Sequence, residues 1–426
     1  MSMHILLQRL LLIVVLSMAV WGGVAQPSYA KDDKARYKPD QLVVKLDPAA
    51  NVTIDDINAT YGTTTLKALS RLAGIYLLQA PAGQDAKAIT DAMEGDARLL
   101  FAEPNFINQA PEANPRSRGP FGGPDATPYP QQYAIQLLNL AQAQQINRGA
   151  GTIVAVIDTG VQLDHPALAG SLIPGYDFVD DDTTPDDPFN GPVDSDVGGH
   201  GTHVAGVIHL VAPEAQIMPV RVLDVHGDGN IFTLAEAIIY AAEHGANIIN
   251  LSLGMPEKSN LLEEVTREAT RHGLTVVGAA GNLNIEQIQY PAGAQCVLTI
   301  TSIGPEGKKS GFANFGSWID FAAPGDGIYS TLPASSYGVW SGTSMATPFV
   351  AGQAALLHSL SPSLNARQIA MLISGTTHSL DDANPDYKGR LGSGLVDISS
   401  SIQALQSGNL PDKNDGGIGN SCVANE

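Results

Sequence analysis

The distribution of apolar and polar residues divides most of the chain into a smaller and a larger folded part. Between residues 37 and 108, apolar runs of strand length alternate with runs in which apolar residues recur every three or four positions. The first spacing is typical of strands and the second of amphipathic helices. This part should therefore be a small α+β unit, with strands at 41–46, 74–79 and 99–106 and helices at 53–61 and 84–93.

From residue 133 to residue 403 the apolar runs are less interrupted. Residues 153–157 and 274–277 contain no charged residue and are rich in β-branched side chains. Such runs are typical of central strands in a parallel sheet, which is covered on both faces. Helical spacing occurs at 233–244 and 348–360. We therefore expect an α/β domain whose mostly parallel central sheet is flanked by helices.

Three further segments carry neither pattern. Residues 1–30 hold one arginine, an apolar run at 10–20 and small residues before Ala25 and Ala30, which is the layout of a secretory signal peptide. The alternative is an uncleaved membrane anchor, for which the run is short. Residues 109–132 are rich in proline and predict an exposed linker, and residues 404–426 predict a disordered tail. We expect a secreted, extracellular protein without membrane attachment after signal cleavage.

The charge balance excludes two classes of partner. The chain has 23 Lys and Arg against 43 Asp and Glu, a formal net charge of −20. A nucleic-acid backbone or an anionic membrane surface would repel it. Apolar residues make up 44% and charged residues 15%, which supports a large buried core. Two cysteines are too few for a disulfide framework or a four-thiolate zinc site.

Candidate chemistry occurs at three places in the larger part, in the order Asp, His, Ser. Asp158 directly follows the first strand, at the edge of the sheet where α/β folds bind ligands. His200 lies in a glycine-rich run that leads into an apolar helix. Ser344 precedes Pro348, which is typical of a first helical turn, so Ser344 should lie at a helix N-terminus. Free N–H groups there favour developing negative charge.

Each of these residues has a simpler interpretation. Asp158 could cap a turn, Ser344 could be an ordinary N-cap, and His200 with His203 could be a metal pair. The zincin metal-binding pattern, however, requires His at i and i+4 with a Glu between them, and His200 and His203 meet neither condition. The lipase pattern G-x-S-x-G also fails, because Ala346 stands where its second Gly would be. The ordered combination favours a catalytic triad over three unrelated residues.

These residues lie in motifs through which the sequence resembles the subtilase (subtilisin-like) serine peptidases. The motifs are residues 156–160, 200–206 and 342–346, supported by 279–282 and 322–325. The likeness covers about residues 130–403, and residues 37–108 resemble the family's inhibitor-like, ferredoxin-like propeptide. The resemblance implies a monomeric serine endopeptidase that cleaves proteins or peptides through an acyl-enzyme. It also implies a self-processed precursor, in which the propeptide is an intramolecular inhibitor.

The resemblance implies roles for individual residues. Ser344 would attack the scissile carbonyl, His200 would carry the proton, and Asp158 would orient the imidazole. Asn282 would join the Ser344 backbone N–H in an oxyanion hole. His203 is expected to be structural. Substrate-binding residues on the pairing strand, on the walls of the first specificity pocket and on its floor are Ser252, Leu253, Gly254, Ala279, Ala280, Gly281 and Gln289. Small residues on both walls predict an apolar preference.

An acidic stretch before His200 resembles the calcium loop of thermitase-like members. Another calcium insertion, frequent in the family after the His motif, is missing from this sequence. The predicted ligands are Asp177, Asp182, Thr184 and Asp186, with Asp180 as a further candidate. The alternative is a solvated acidic loop, which is what acidic runs usually are.

Two other hypotheses of function stay open at this point, a peptide-binding protein without catalysis and a separate activity of the N-terminal unit. A catalytically inactive scaffold would bind peptides in the same groove, but it would be expected to lack a triad residue or Asn282. The unit at 37–108 could also act by itself as a protease inhibitor or chaperone. That activity would be compatible with a peptidase.

Overall fold

The structure is a computed structural model that describes residues 36–113, 121–188 and 197–408. The predicted signal peptide and most of the predicted tail lie outside these residues. Within the described part of the chain, no helix has the length and apolarity needed to span a bilayer.

The N-terminal unit is an antiparallel four-stranded sheet with two helices. The strands occur in the order β2-β3-β1-β4, and the helices pack on the face lined by Leu42, Val44 and Leu78. The strand and helix predictions are confirmed, but the sequence did not indicate β2. All five of its residues are exposed, so no alternation marks it. The elements are β1 Tyr37–Leu46, α1 Ile54–Tyr61, β2 Thr64–Ala68, β3 Ile75–Gln79, α2 Ala86–Ala92 and β4 Leu99–Phe106.

The larger unit is built on a seven-stranded sheet whose strand pairs are all parallel, as predicted. The strands occur in the order β12-β11-β10-β9-β6-β8-β7. They are β6 Ile153–Asp158, β7 Tyr176–Asp177, β8 Gln216–Arg221, β9 Ile248–Leu251, β10 Thr275–Ala279, β11 Val297–Ile303 and β12 Phe321–Pro324. A smaller antiparallel sheet consists of β5 Phe121–Gly123, β13 Ile328–Leu332 and β14 Ser336–Trp340.

Helices accompany this sheet. Two of them, α5 (His200–Val211) and α8 (Thr343–Leu360), are almost wholly buried, because each packs between the large sheet and neighbouring elements. The helices are α3 Tyr133–Leu137, α4 Leu140–Ile146, α5 His200–Val211, α6 Ile231–Glu243, α7 Asn260–Arg271, α8 Thr343–Leu360, α9 Ala366–Ser374 and α10 Ile398–Gln406. Because α10 reaches Gln406, the ordered chain extends past the predicted boundary at residue 404.

The position of Pro348 differs from the prediction. It is the sixth residue of α8 rather than a first-turn residue, and it has no N–H to donate to the carbonyl of Ser344, four residues before it. The Ser252 hydroxyl donates to that carbonyl instead, at 3.0 Å. The helix nevertheless begins at Thr343, so Ser344 lies in its first turn.

The N-terminal unit lies against α6 and α7. The carboxylate of Glu103 caps α7 by accepting hydrogen bonds from Ser259 Oγ at 2.7 Å, Asn260 N at 2.8 Å and Leu261 N at 3.1 Å. Three ion pairs flank this contact: Lys45–Glu264, Lys67–Glu236 and Arg71–Glu243. The end of β4 is thereby held beside the larger unit, so the next residues enter its central cleft.

The predicted exposed linker is wrong for its first residues. Ala110 and Glu112 are buried. Composition suggested exposure because proline is frequent here, but the backbone of these residues pairs with the larger unit. Residues 114–120 lie outside the described part of the chain.

Candidate active site

An Asp–His pair is buried at the carboxyl end of the parallel sheet. β6 ends at Asp158, and α5 begins at His200 after Gly199, whose φ of 92° favours glycine. His200 Nδ1 lies 2.7 Å from Asp158 Oδ1, and both side chains are fully buried. The ring of Trp340 packs edge-on against His200, with ring centroids 5.3 Å apart, and covers the imidazole with apolar surface.

A second buried carboxylate, which the sequence did not single out, lies in the same centre. Glu112 belongs to a short 3-10 helix, Pro111–Ala113. Its Oε2 accepts hydrogen bonds from Ser344 Oγ at 2.6 Å and from His200 Nε2 at 3.0 Å. Its Oε1 accepts one from Asn282 Nδ2 at 2.8 Å. The Glu112 carboxylate thus contacts all three residues that the sequence assigns to one reaction, Ser344, His200 and Asn282.

The charge of His200 follows from these contacts. Both ring nitrogens face carboxylate oxygens, so both carry a proton. Burial by itself would lower the pKa of His200, but the carboxylates of Asp158 and Glu112 outweigh it and raise the pKa to about 10. His200 is therefore an imidazolium at neutral pH in this arrangement.

The Asn282 amide is oriented by its neighbour in space, Thr343. Asn282 Oδ1 accepts hydrogen bonds from Thr343 N at 2.9 Å and from Thr343 Oγ1 at 3.0 Å. Gly281 N in turn donates to Thr343 Oγ1 at 3.0 Å. Since the amide oxygen is occupied, the Nδ2 hydrogens point into the cleft, where an oxyanion donor has to be.

Residues 108–110 lie in the cleft as an additional strand. Gln109 and Gly254 exchange two backbone hydrogen bonds, at 2.9 and 2.8 Å, in antiparallel pairing. The opposite wall contributes Gly227 O and Gly229 N, at 3.0 and 2.9 Å from backbone atoms of residues 108–110. This arrangement is the addition of a peptide strand between two walls.

Other predicted substrate-binding residues lie around this segment. Leu253, Ala279 and Ala280 are fully buried, so their side chains do not lie on the open surface of the cleft. A Cβ on Gly281 would come within 2.9 Å of Gln289 Cγ, so the glycine and the glutamine are in close contact. Gly254 also lies beside Gln289, and Ser252 O is 3.3 Å from Ser344 Oγ. Gly254, Gly281 and Gln289 therefore lie together, and Ser252 lies beside Ser344.

Two buried groups near the pair have structural contacts. His203 Nε2 donates to Ile328 O at 3.1 Å and Gly338 O at 3.3 Å, and burial, together with the charge of His200, lowers the pKa of His203 to about 3. Asp187 accepts from Gly199 N and Thr202 N at the start of α5. Burial raises its pKa to about 6. These contacts explain His203 without a catalytic role.

The carboxylates among the predicted calcium ligands accept hydrogen bonds from protein donors. Asp177 Oδ2 and Asp180 Oδ2 both accept from Arg221 Nη1, at 2.7 and 2.5 Å, and Asp177 Oδ1 accepts from loop N–H groups. Asp182 and Asp186 also accept backbone N–H groups. No group of three or more His, Cys, Asp or Glu among the described residues is close enough to hold a metal ion. In this arrangement a guanidinium supplies the positive charge that the prediction assigned to calcium.

Three contributors to the site were not predicted: Glu112, Thr343 and Trp340. Thr343 lies inside the motif at 342–346, directly before Ser344, and this position could have drawn attention to it. Nothing in the local sequence marks Glu112, which is one acidic residue in a proline-rich segment. Trp340 is the last residue of β14, just before that motif, and only the fold brings it to His200.

Comparison with known proteins gives consistent matches. The model of the subtilase family matches residues 149–394, and that of the fervidolysin N-terminal prodomain matches residues 25–105. Thermitase from Thermoactinomyces vulgaris is 44% identical over 239 residues, which cover 54% of this chain and 82% of thermitase. A thermophilic serine proteinase from Bacillus sp. (strain AK1) is 36% identical over 322 residues, covering 72% of this chain and 75% of that protein.

A solved structure matches both units. It is the crystal structure of fervidolysin from Fervidobacterium pennivorans, described as a keratinolytic enzyme related to subtilisin. The TM-score is 0.70 at 26% identity, and the match covers 86% of this chain. The match covers 61% of the fervidolysin chain.

Proposed function

The chain belongs to the subtilase family of serine peptidases and has an N-terminal prodomain, and we propose that it is a secreted endopeptidase made as a self-processed precursor. The single observation that carries the proposal is the convergence of Ser344 Oγ and His200 Nε2 on one oxygen atom, with Asn282 Nδ2 on the adjacent oxygen. A substrate group at this point can exchange protons with Ser344 Oγ and His200 Nε2, and Asn282 Nδ2 can stabilise negative charge on it.

The proposed reaction follows from this geometry. When a substrate carbonyl lies where the Glu112 carboxylate lies, Ser344 Oγ attacks its carbon and His200 takes the proton. Asp158 holds the imidazole by its Nδ1–H and stabilises the imidazolium. Asn282 Nδ2 and the Ser344 backbone N–H donate to the developing oxyanion. His200 then gives its proton to the leaving amine, and a water molecule releases the acyl group by the same steps.

The substrate is proposed to be an extended protein or peptide chain. The pairing of residues 108–110 with Gly254, Gly227 and Gly229 supports this, because it uses only backbone groups and would accept many sequences. The small residues Ala279, Ala280 and Gly281 on one wall support a pocket for a large apolar side chain.

Secretion and self-processing extend the proposal. Export is supported by the signal-like pattern at 1–30, and an intramolecular inhibitor is supported by the capping of α7 through Glu103. We propose that the enzyme is an extracellular monomer. Calcium binding by the loop at Asp177–Asp186 remains a prediction, supported by its sequence and opposed by the contacts of Arg221.

The test is to isolate the secreted product, label it with a fluorophosphonate probe and sequence its N-terminus. We expect covalent labelling at Ser344 and a start within or after the linker. An unlabelled product without peptidase activity would refute the proposal.

A further inference from the structure

The Glu112 carboxylate occupies the position of the reacting group in the catalytic centre. Its side chain is completely buried, and three side chains donate to its two oxygens. The space around it is closely fitted, because a Cβ on Gly342 would lie 1.7 Å from Glu112 Oε1 and 3.1 Å from Asn282 Nδ2. The catalytic centre therefore fits the Glu112 carboxylate closely, as a binding site fits its ligand.

The groups around Glu112 are complementary to a negative charge. From α5 it faces the His200 imidazolium, behind which lies Asp158 of β6. From the start of α8 it faces Ser344 Oγ, and from the turn after β10 it faces the Asn282 amide. The last two groups are neutral donors. One cationic ring and two neutral donors thus bind one anionic side chain.

We infer that the catalytic centre is a carboxylate-binding site and that Glu112 fills it in the precursor, which keeps the precursor latent until this residue is withdrawn. The inference rests on the proposed peptidase function. It goes beyond inhibition by a backbone strand in the cleft, because here a side chain occupies the reaction centre itself.

Three effects of the carboxylate produce latency. It accepts a hydrogen bond from Asn282 Nδ2, so this donor is not available to a substrate carbonyl. It accepts the hydrogen bond of the Ser344 hydroxyl, which is then not directed to a base. It also holds His200 in the protonated form, and a protonated imidazole cannot act as a general base.

The site predicts a proton linkage. Beside both carboxylates the pKa of His200 is about 10, and Asp158 contributes to this rise whether or not Glu112 is bound. Withdrawing the Glu112 carboxylate therefore lowers the pKa of His200 only in part, and binding of the carboxylate takes up a proton between that lower value and about 10. Affinity should fall with rising pH in this window, by at most about tenfold for each pH unit.

The first test uses a peptide and the mature enzyme. An acetylated, amidated peptide Asn-Gln-Ala-Pro-Glu-Ala, the sequence of residues 108–113, is compared with the same peptide carrying Gln in place of Glu. We expect the Glu peptide to inhibit hydrolysis of a chromogenic substrate roughly tenfold or more tightly at pH 7, with the inhibition constant rising towards pH 10. Equal inhibition by both peptides, or a Glu peptide without pH dependence, would overturn the inference.

The second test uses the full-length precursor. Glu112→Gln should mature faster than wild type and react faster with a fluorophosphonate before cleavage. Glu94→Gln is the matched control, because Glu94 is exposed in the N-terminal unit and should change neither rate. If Glu112→Gln and wild type mature and label at the same rate while the mature enzyme cleaves peptides, the latency inference fails and the peptidase proposal stands. If the mature wild type cleaves nothing, the peptidase proposal itself fails.

Discussion

Ser344 Oγ donates a hydrogen bond to Glu112 Oε2 at 2.6 Å, although the two residues are 232 positions apart in the chain. The contact joins the proposed nucleophile to the segment that leaves the N-terminal unit. It links the state of the linker to the chemistry of the cleft, because any rearrangement that withdraws Glu112 also frees Ser344.

Replacing the proposed nucleophile should abolish activity without unfolding the protein. Ser344→Ala removes the hydroxyl, and we expect kcat to fall by a factor on the order of 10⁶, the magnitude known for subtilisin itself. Casein hydrolysis and fluorophosphonate labelling are the measurements. Ser341→Ala, three residues earlier, is the control and should keep both. Normal casein hydrolysis by Ser344→Ala would refute the assignment.

The Asn282 amide should matter in the transition state more than in substrate binding. For Asn282→Ala we expect kcat to fall about 10²–10³-fold with KM little changed, the magnitude established for the equivalent amide of subtilisin. Steady-state kinetics on a chromogenic peptide separate the two constants. Asn284→Gly is the control, because its φ of 55° suits glycine. An unchanged kcat in Asn282→Ala would remove this residue from the oxyanion hole.

Maturation should depend on the protein's own active site. We expect cleavage between about Asn108 and Gln131, in the part of this range after Glu112, because Asn108, Ala110 and Glu112 are buried whereas residues 124–128 are exposed, and exposed segments are cut most easily. Ser344→Ala, produced without other proteases, should accumulate at precursor length, whereas added wild-type enzyme should cut it in trans. N-terminal sequencing and mass spectrometry identify the products. Maturation of Ser344→Ala at the wild-type site would mean that another protease does the processing.

Calcium should raise the melting temperature if the acidic loop binds it. The carboxylates at 177–186 repel one another, and an ion that binds only the folded state stabilises it with increasing concentration. We expect a calcium-dependent rise in the wild type that Asp182→Ala loses and Asp382→Ala, an exposed control, keeps. A wild type without a shift, or an Asp182→Ala protein with the full shift, would leave Arg221 as the counter-charge of a solvated loop.

Buried His203 should make the folded protein sensitive to acid. Its pKa of about 3 lies below the unfolded value of 6.5, so the unfolded state binds more protons between these values. The contribution of His203 to stability is present above pH 6.5 and is lost as pH falls towards 3. Asp187, with its pKa raised to about 6, contributes in the opposite direction, since its stabilisation is lost as pH rises from 3.8 to 6.

The contribution of His203 is isolated by comparing variants. In a Ser344→Ala background, which prevents autolysis, urea unfolding at several pH values should give a smaller slope of stability against pH for His203→Gln than for the unsubstituted protein. His272→Gln is the control, because this imidazole is largely exposed. Identical slopes for all three proteins would show that His203 does not stay neutral in the folded state.

The sequence by itself determined most elements of the smaller unit, the parallel α/β character of the larger unit and the order of the three motifs. Continuous apolar runs such as residues 153–157 need burial on both faces, and this need is visible along the chain without knowledge of any partner. The triad residues were found for a related reason, since each lies where a strand ends or a helix begins. Strand β2 was missed because its exposed residues carry no such pattern.

Only the tertiary structure decided which distant groups share a site. The burial of Glu112 depends on donors 88, 170 and 232 positions away, and no local periodicity records them. The same holds for Arg221, which lies 44 and 41 positions after the two aspartates it pairs with. Composition predicts how a segment behaves in water, whereas these residues were withdrawn from water by partners that only the folded chain brings near.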